Sequence, residues 1–323
     1  MYNILILSAG RRTKLVEYFV REFKGAGNVV ATDCSEYAPA LYIADKYYIV
    51  PRIDASNYIE TILGICKEES IKGVFSLIDP ELELLITHQK KFEEIGVKVI
   101  SSSKEVTNIC FDKYKMYEFC AEHNINTVKT FIDVKEVIEL VEKKELDFPL
   151  FVKPRCGSAS LGISKVNNME DLEMLLKYDD NLIIQEFMDG QEYGVDVYVD
   201  LISKEVISIF SKKKLVMRAG ETDKSISVKD TKLLDMIKEF VTKLNIQGQC
   251  DIDVFEKNGE YYISEVNPRF GGGYPHAYEC GCNFPKYMLK NLQCNENEQV
   301  IGNYEKNILM MKCDNVLINK IGE

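Results

Sequence analysis

The sequence predicts an α/β protein in two parts: a parallel, doubly wound sheet in residues 1–104, then a two-lobed α+β unit in residues 105–323. Three observations carry that prediction. Short apolar runs alternate with amphipathic segments through the first part, the signature of a parallel sheet with helices on its faces. A polar break, Ser101-Ser102-Ser103, interrupts the rhythm. Beyond it, strand-like runs and single helices lead to a hairpin turned by Asn258-Gly259, a pair that supplies the positive φ angles of a tight turn.

In order, residues 2–7 form an apolar strand that ends in Ser8-Ala9-Gly10-Arg11-Arg12, followed by an amphipathic segment (14–24) and a second strand (28–33). The small residues let the backbone approach a ligand, and the helix N-terminus after them favours an anion. Ser-Ala-Gly is not a full dinucleotide fingerprint, so no nicotinamide claim is drawn from it. A helix (56–69), a strand (73–78), a helix (81–95) and a strand (98–100) complete a Rossmann-like unit. Asp79-Pro80-Glu81 opens a helix directly after a strand, where ligands gather in open α/β sheets. Asp79 itself reads as the N-cap of that helix.

A chain of 323 residues suits two or so folded units, and its net charge of −11 argues against nucleic acid and anionic membrane surfaces as partners. No apolar run approaches the roughly 20 residues of a bilayer span. The first strand lacks a basic segment before it, so it is not read as a signal peptide, and a cytoplasmic setting is expected. The ten cysteines are scattered through apparent core segments and read as free thiols, Cys280-Gly281-Cys282 included.

The second part carries the chemistry. A helix (106–122) holds Asp112-Lys113, with Lys115 as a near competitor. An apolar strand then carries Lys153 into a loop of small residues, Gly157, Ser158, Ala159, Ser160 and Gly162. A lysine inside such a strand is costly to bury without an anion, and small residues can wrap phosphate oxygens with backbone N–H groups. Next come Gln185-Glu186-Phe187-Met188 and Glu192, a basic stretch from Lys212 to Arg218, and a helix (231–244). In the hairpin, Asp253 lies on the first strand, while Glu265 and Asn267 point the same way from the second. Two carboxylates and an amide oxygen suit a hard divalent cation, which beside phosphates is usually magnesium. Arg269, before Phe270-Gly271-Gly272-Gly273, suits capture of a carboxylate or acyl phosphate, or a salt bridge to Glu265. His276 is open to a substrate-facing or a structural role.

The set Asp112-Lys113, Val152-Lys153-Pro154 with its glycine–serine loop, Gln185 to Glu192, and Asp253…Glu265-x-Asn267 resembles the ATP-grasp superfamily. That superfamily includes biotin carboxylase, D-alanine–D-alanine ligase and the carbamoyl-phosphate synthetase large subunit, and the resemblance spans nearly the whole chain. It implies a pre-ATP-grasp domain (1–104) and an ATP-grasp domain (105–323), with a nucleotide-covering lobe at about 125–187 and a catalytic lobe at about 188–323. It implies that Lys113, Lys153, Ser158, Ser160 and Gly162 meet the phosphates of ATP. Glu186, Phe187 and Met188 would meet the adenine, and Glu192 the ribose. Asp253, Glu265 and Asn267 would hold Mg²⁺, with Mn²⁺ as an alternative. Arg218, Arg269 and Lys153 would serve the transfer itself. The chain lacks the histidine that carbamoyl-phosphate synthetase domains carry near Arg218, which counts against strict equivalence there.

The function so implied is an ATP-dependent carboxylate–amine ligase acting on small molecules, like the compact ATP-grasp ligase of pyrrolysine biosynthesis. The alternatives are a carbamoyl-phosphate-synthetase-like protein acting on bicarbonate or carbamate, and a nucleotide-binding module without turnover. A homodimer is compatible with the resemblance.

Overall fold

The computed structural model describes residues 1–157, 162–177, 179 and 181–318. The first sheet holds β1 (Asn3–Leu7), β2 (Val29–Asp33), β3 (Lys46–Ile49), β4 (Ile71–Ser76) and β5 (Lys98–Val99), all parallel in the order β3-β2-β1-β4-β5. β1 is buried on both faces, hence its unbroken apolar run. One face packs on helices Tyr58–Glu68 and Asp79–Thr87. The other packs on helix Thr13–Phe23 together with Phe270, Tyr274 and Phe284, from the far end of the chain. Burying aromatic side chains of that kind contributes roughly 1.5–3 kcal/mol each. That shared core fixes the strand ends of the first sheet against the hairpin region.

A four-stranded antiparallel sheet follows: β6 (Thr130–Phe131), β7 (Leu150–Pro154), β8 (Ser164–Val166) and β9 (Leu182–Glu186), in the order β6-β9-β7-β8. Helices Val134–Glu142 and Met169–Leu176 supply apolar residues to its core. The third sheet is also antiparallel, in the order β14-β13-β10-β11-β12-β15. Its strands are β10 (Gln191–Val199), β11 (Val206–Arg218), β12 (Glu221–Val228), β13 (Gly248–Lys257), β14 (Glu260–Asn267) and β15 (Leu309–Met311). Helix Thr231–Leu244 covers one face, burying Leu233, Ile237, Phe240 and Val241 at helical spacing, and the other face is left for the cleft.

Several expected elements differ in detail. The predicted helix 106–122 is two helices, Lys104–Phe111 and Lys113–Glu122, because extended Asp112 caps the second by accepting from Tyr114 N and Lys115 N. The helix expected over 81–95 likewise breaks at His88. Asp79 is the first residue of its helix rather than the cap, since extended Ile78 holds the cap position with no side-chain hydrogen bond. All ten cysteines are free. No helix among the described residues is long and apolar enough to cross a membrane.

Candidate active site

A cleft of about 640 Å³ opens among the three sheets, lined by residues from the end of β1 through Gly273. Its floor is the face of the third sheet opposite helix Thr231–Leu244. On β13, Asp251 and Asp253 are two residues apart and share that face. On β14, Glu265 is the register partner of Asp253, and Asn267 that of Asp251. A regular strand would turn Glu265 the same way as Ile263, which lies in the core. The register shift next to Val254–Ile263 leaves Ser264 unpaired and swings Glu265 to the cleft. The hairpin thus gathers Asp253, Glu265 and Asn267 on one wall. Asp251, which sequence reading did not single out, makes a fourth.

The facing wall is β7 and the end of β9. Lys153 is only 7% exposed, lines the cleft, and has no hydrogen bond or ion pair among the described residues. Burial pulls its pKa down to about 8, with Glu265 opposing. Glu186, Phe187 and Met188 also line the cleft. The Glu186 Oε1 accepts from Lys129 N at 3.1 Å, and the Phe187 ring stacks on Phe151 with the Lys165 ammonium 4.0 Å above it. Gly162 takes a left-handed φ of +70°, which suits a residue without Cβ. Ser158 and Ser160 lie outside the described residues. Lys113 is not on the main cleft: its Nζ donates to Gly157 O at 2.7 Å, and it borders a small neighbouring cavity with Glu265 and Asn267.

Lys214 of β11 completes the floor, with Lys212 buried beneath it. Lys214 Nζ lies 2.7 Å from Glu192 and 2.6 Å from Asp253, and these two carboxylates raise its pKa against the effect of burial. Burial raises the pKa of Glu192. Lys212 forms a fully buried ion pair with Asp196. Asp251 is pushed up to about 7 by burial and by the charges of Asp253 and Asp196. The alternation 212, 214 was a signal for these lysines, since every second residue of a strand shares a face.

Arg218 does not join the site. The register of β11 slips around Val216, so Met217 reaches the cleft. Arg218 is 66% exposed and meets Asp314 at 3.3 Å. Arg269 does line the cleft, yet its partners are Asp79 at 3.2 Å and Asp251 at 3.8 Å rather than Glu265. Their charges raise its pKa in spite of burial. His276 is structural: the ring is buried between Ser225 Oγ at 2.8 Å and Ile308 O at 3.1 Å, and burial pulls its pKa down to about 4.

The donor set suits a hard cation. Glu265 and Asn267 make no side-chain hydrogen bond or ion pair among the described residues, so their oxygens are uncommitted. Among the described residues Asp253 is held by Lys214 alone. Among the described residues no three His, Cys, Asp or Glu side chains form a cluster fit for a metal, so the third donor would have to be the Asn267 amide oxygen. Lys153 across the cleft, without a partner among the described residues, suits a phosphate.

Residues 4–100 match the family described as PylC-like, N-terminal domain, and residues 110–273, about half of the chain, match the family described as ATP-grasp domain. The chain belongs to the ATP-grasp family. Over 291 residues it is 26% identical to the formate-dependent phosphoribosylglycinamide formyltransferase of Prochlorococcus marinus, covering 83% of this chain and 70% of that protein. Over 290 residues it is 25% identical to D-alanine–D-alanine ligase B of Clostridium perfringens, covering 80% of this chain and 91% of the ligase. In fold it resembles the biotin carboxylase domain of Hydrogenobacter thermophilus 2-oxoglutarate carboxylase, solved with MgADP, ADP and bicarbonate. The TM-score is 0.76 at 16% identity, over 96% of this chain and 73% of that one. In ATP-grasp terms, the cleft lies between the two lobes, with the parallel sheet closing one side.

Proposed function

We propose that this chain is an ATP-dependent carboxylate–amine ligase. The observation that carries the reading is the cleft itself, in which buried Lys153, without a partner among the described residues, faces the block of Asp253, Glu265 and Asn267. A carboxylate oxygen attacks the γ-phosphorus of ATP, the bond to the β-phosphate oxygen breaks, and ADP leaves. The amine then attacks the carbonyl carbon of the acyl phosphate, phosphate departs with the bonding pair, and the amine's proton passes to solvent. Positioning and electrostatics can carry such a transfer without a side-chain nucleophile.

Lys153 neutralises the phosphates, and Ser158, Ser160, Gly162 and Lys113 contribute to holding them. Glu186, Phe187 and Met188 hold the adenine, and Glu192 the ribose. Asp253, Glu265 and Asn267 hold magnesium, or manganese, which when bound neutralises charge on the phosphates. Arg269 orients the acid. Arg218 has no part, given its exposure. Residues 1–104 serve the acceptor side and 105–323 the nucleotide side.

The test is ADP release from Mg²⁺ and ATP with the proteinogenic amino acids, singly and in pairs, and with bicarbonate. The reading expects ADP only when an acid and an amine are both present. ATP consumption with bicarbonate alone, or none with any combination, would overturn it.

A further inference from the structure

Beside the nucleotide-facing wall, three separate stretches of the chain build a cationic group that the scheme above leaves unused. Arg11 and Arg12 follow β1, Glu221 begins β12, and Lys312 follows β15. Arg11 and Arg12 lie 3.4 and 3.3 Å from Glu221 Oε1, and Lys312 Nζ lies 2.8 Å from Oε2. Three cations thus share one carboxylate, leaving two positive charges without an ion-pair partner among the described residues, in a chain of net charge −11. Asp251, the other carboxylate whose charge reaches Arg12, does not offset the surplus, because it already faces Arg269.

Arg12 is the member with capacity to spare. Its side chain is 21% exposed and lines the cleft, yet its guanidinium donates no well-formed hydrogen bond among the described residues. The ion pair to Glu221 is its one contact of that kind there. A guanidinium carries five N–H donors in a planar fork, and leaving them largely unused in a recess is costly. Burial lowers its pKa, with Glu221 opposing. Glu221 packs into the space left by Gly272, where a Cβ would come within 2.6 Å of its Cδ. Lys312 holds the carboxylate from its other oxygen, and the carboxylate holds Arg12 beside the cleft.

Ligation consumes the carboxylate of the acid. A guanidinium poised for a carboxylate that survives the reaction implies that the amine partner carries one. We propose that the amine substrate is an amino acid whose unreacted carboxylate is received by Arg12, with Glu221 as the positioning residue. This rests on the ligase reading for the name substrate, but the pocket is tested by binding alone.

The experiment is calorimetry on the full chain with Mg²⁺ and a nonhydrolysable ATP analogue. The twenty proteinogenic amino acids are titrated first, and then, for each that binds, the matching decarboxylated amine. The wild type is expected to prefer the amino acid by about tenfold or more, the scale of a charge-assisted pair. Arg12→Gln should bring that ratio close to one, Arg12→Lys should restore part of it, and Lys312→Gln should reduce it less. Equal binding of an amino acid and its decarboxylated amine would overturn the proposal and leave the ligase reading standing. So would failure of every amino acid to bind, or a ratio unchanged in Arg12→Gln. Arg12-dependent binding with no ADP release from any acid would instead remove the ligase reading and keep the pocket.

Discussion

Replacing Lys153 with methionine should make the nucleotide-free protein more stable while removing its reaction. The side chain is buried without a partner among the described residues, and burial lowers its pKa from the ordinary 10.5 to about 8. At ~1.4 kcal/mol per pH unit, that difference corresponds to about 3 kcal/mol held against the fold while the lysine is protonated. The folded pKa lies below the unfolded one, so at neutral pH the whole penalty is present, and it fades as pH rises from about 8 to 10.5. Methionine has a similar length and no charge, so Lys153→Met should recover about 1–3 kcal/mol and raise the unfolding midpoint by a few degrees. The assay is thermal and urea unfolding of both proteins without nucleotide, from pH 7 to 10. Wild-type stability should climb toward the variant's across that range while the variant's stays flat. ADP release by the variant should fall about a hundredfold or more, as expected for loss of a phosphate-binding cation. A variant less stable than the wild type at pH 7 would refute the reasoning, since it would mean that Lys153 is already paired inside the fold.

Two further outcomes follow from the same geometry. His276 has a folded pKa near 4 against an ordinary 6.5, so its contribution is present above pH 6.5 and is lost as pH falls toward 4, about 3 kcal/mol in all. His276→Gln should be less stable at pH 7 and show a shallower loss between pH 6.5 and 4 in urea titrations. Arg218→Ala should change ADP release by no more than about twofold, because the side chain is exposed outside the cleft and its ion pair with Asp314 adds little to the fold. A large loss would restore Arg218 to the site.

Four of the five strands of the first sheet and the Asn258-Gly259 hairpin were legible because periodicity and turn chemistry are local. Asn258 and Gly259 take φ of 56° and 79°, as that turn requires. β3 was not foreseen: Lys46-Tyr47-Tyr48-Ile49 is a short edge strand, largely exposed, with no apolar alternation to mark it. The site residues on the hairpin faced the cleft as strand alternation suggested, although the register shift that turns Glu265 away from Ile263 left no mark in residue types. Arg218 was misplaced for the same kind of reason, a slip in β11 that reverses which side chains face inward. Asp79 looked like a cap because Asp before Pro usually is one. Its pairing with Arg269, 190 residues along the chain, is a tertiary fact that no local pattern encodes. Arg12 and Lys312 met Glu221 through that same long-range packing.

The central claim is that Glu265, with Asp253 and Asn267, couples a divalent cation to nucleotide opposite Lys153. Calorimetric affinity for ATP, measured with and without Mg²⁺ in the wild type and in Glu265→Gln, tests it most directly. The account predicts that Mg²⁺ strengthens ATP binding to the wild type and that Glu265→Gln loses about tenfold or more of that gain. An Mg²⁺ dependence identical in the two proteins would contradict it.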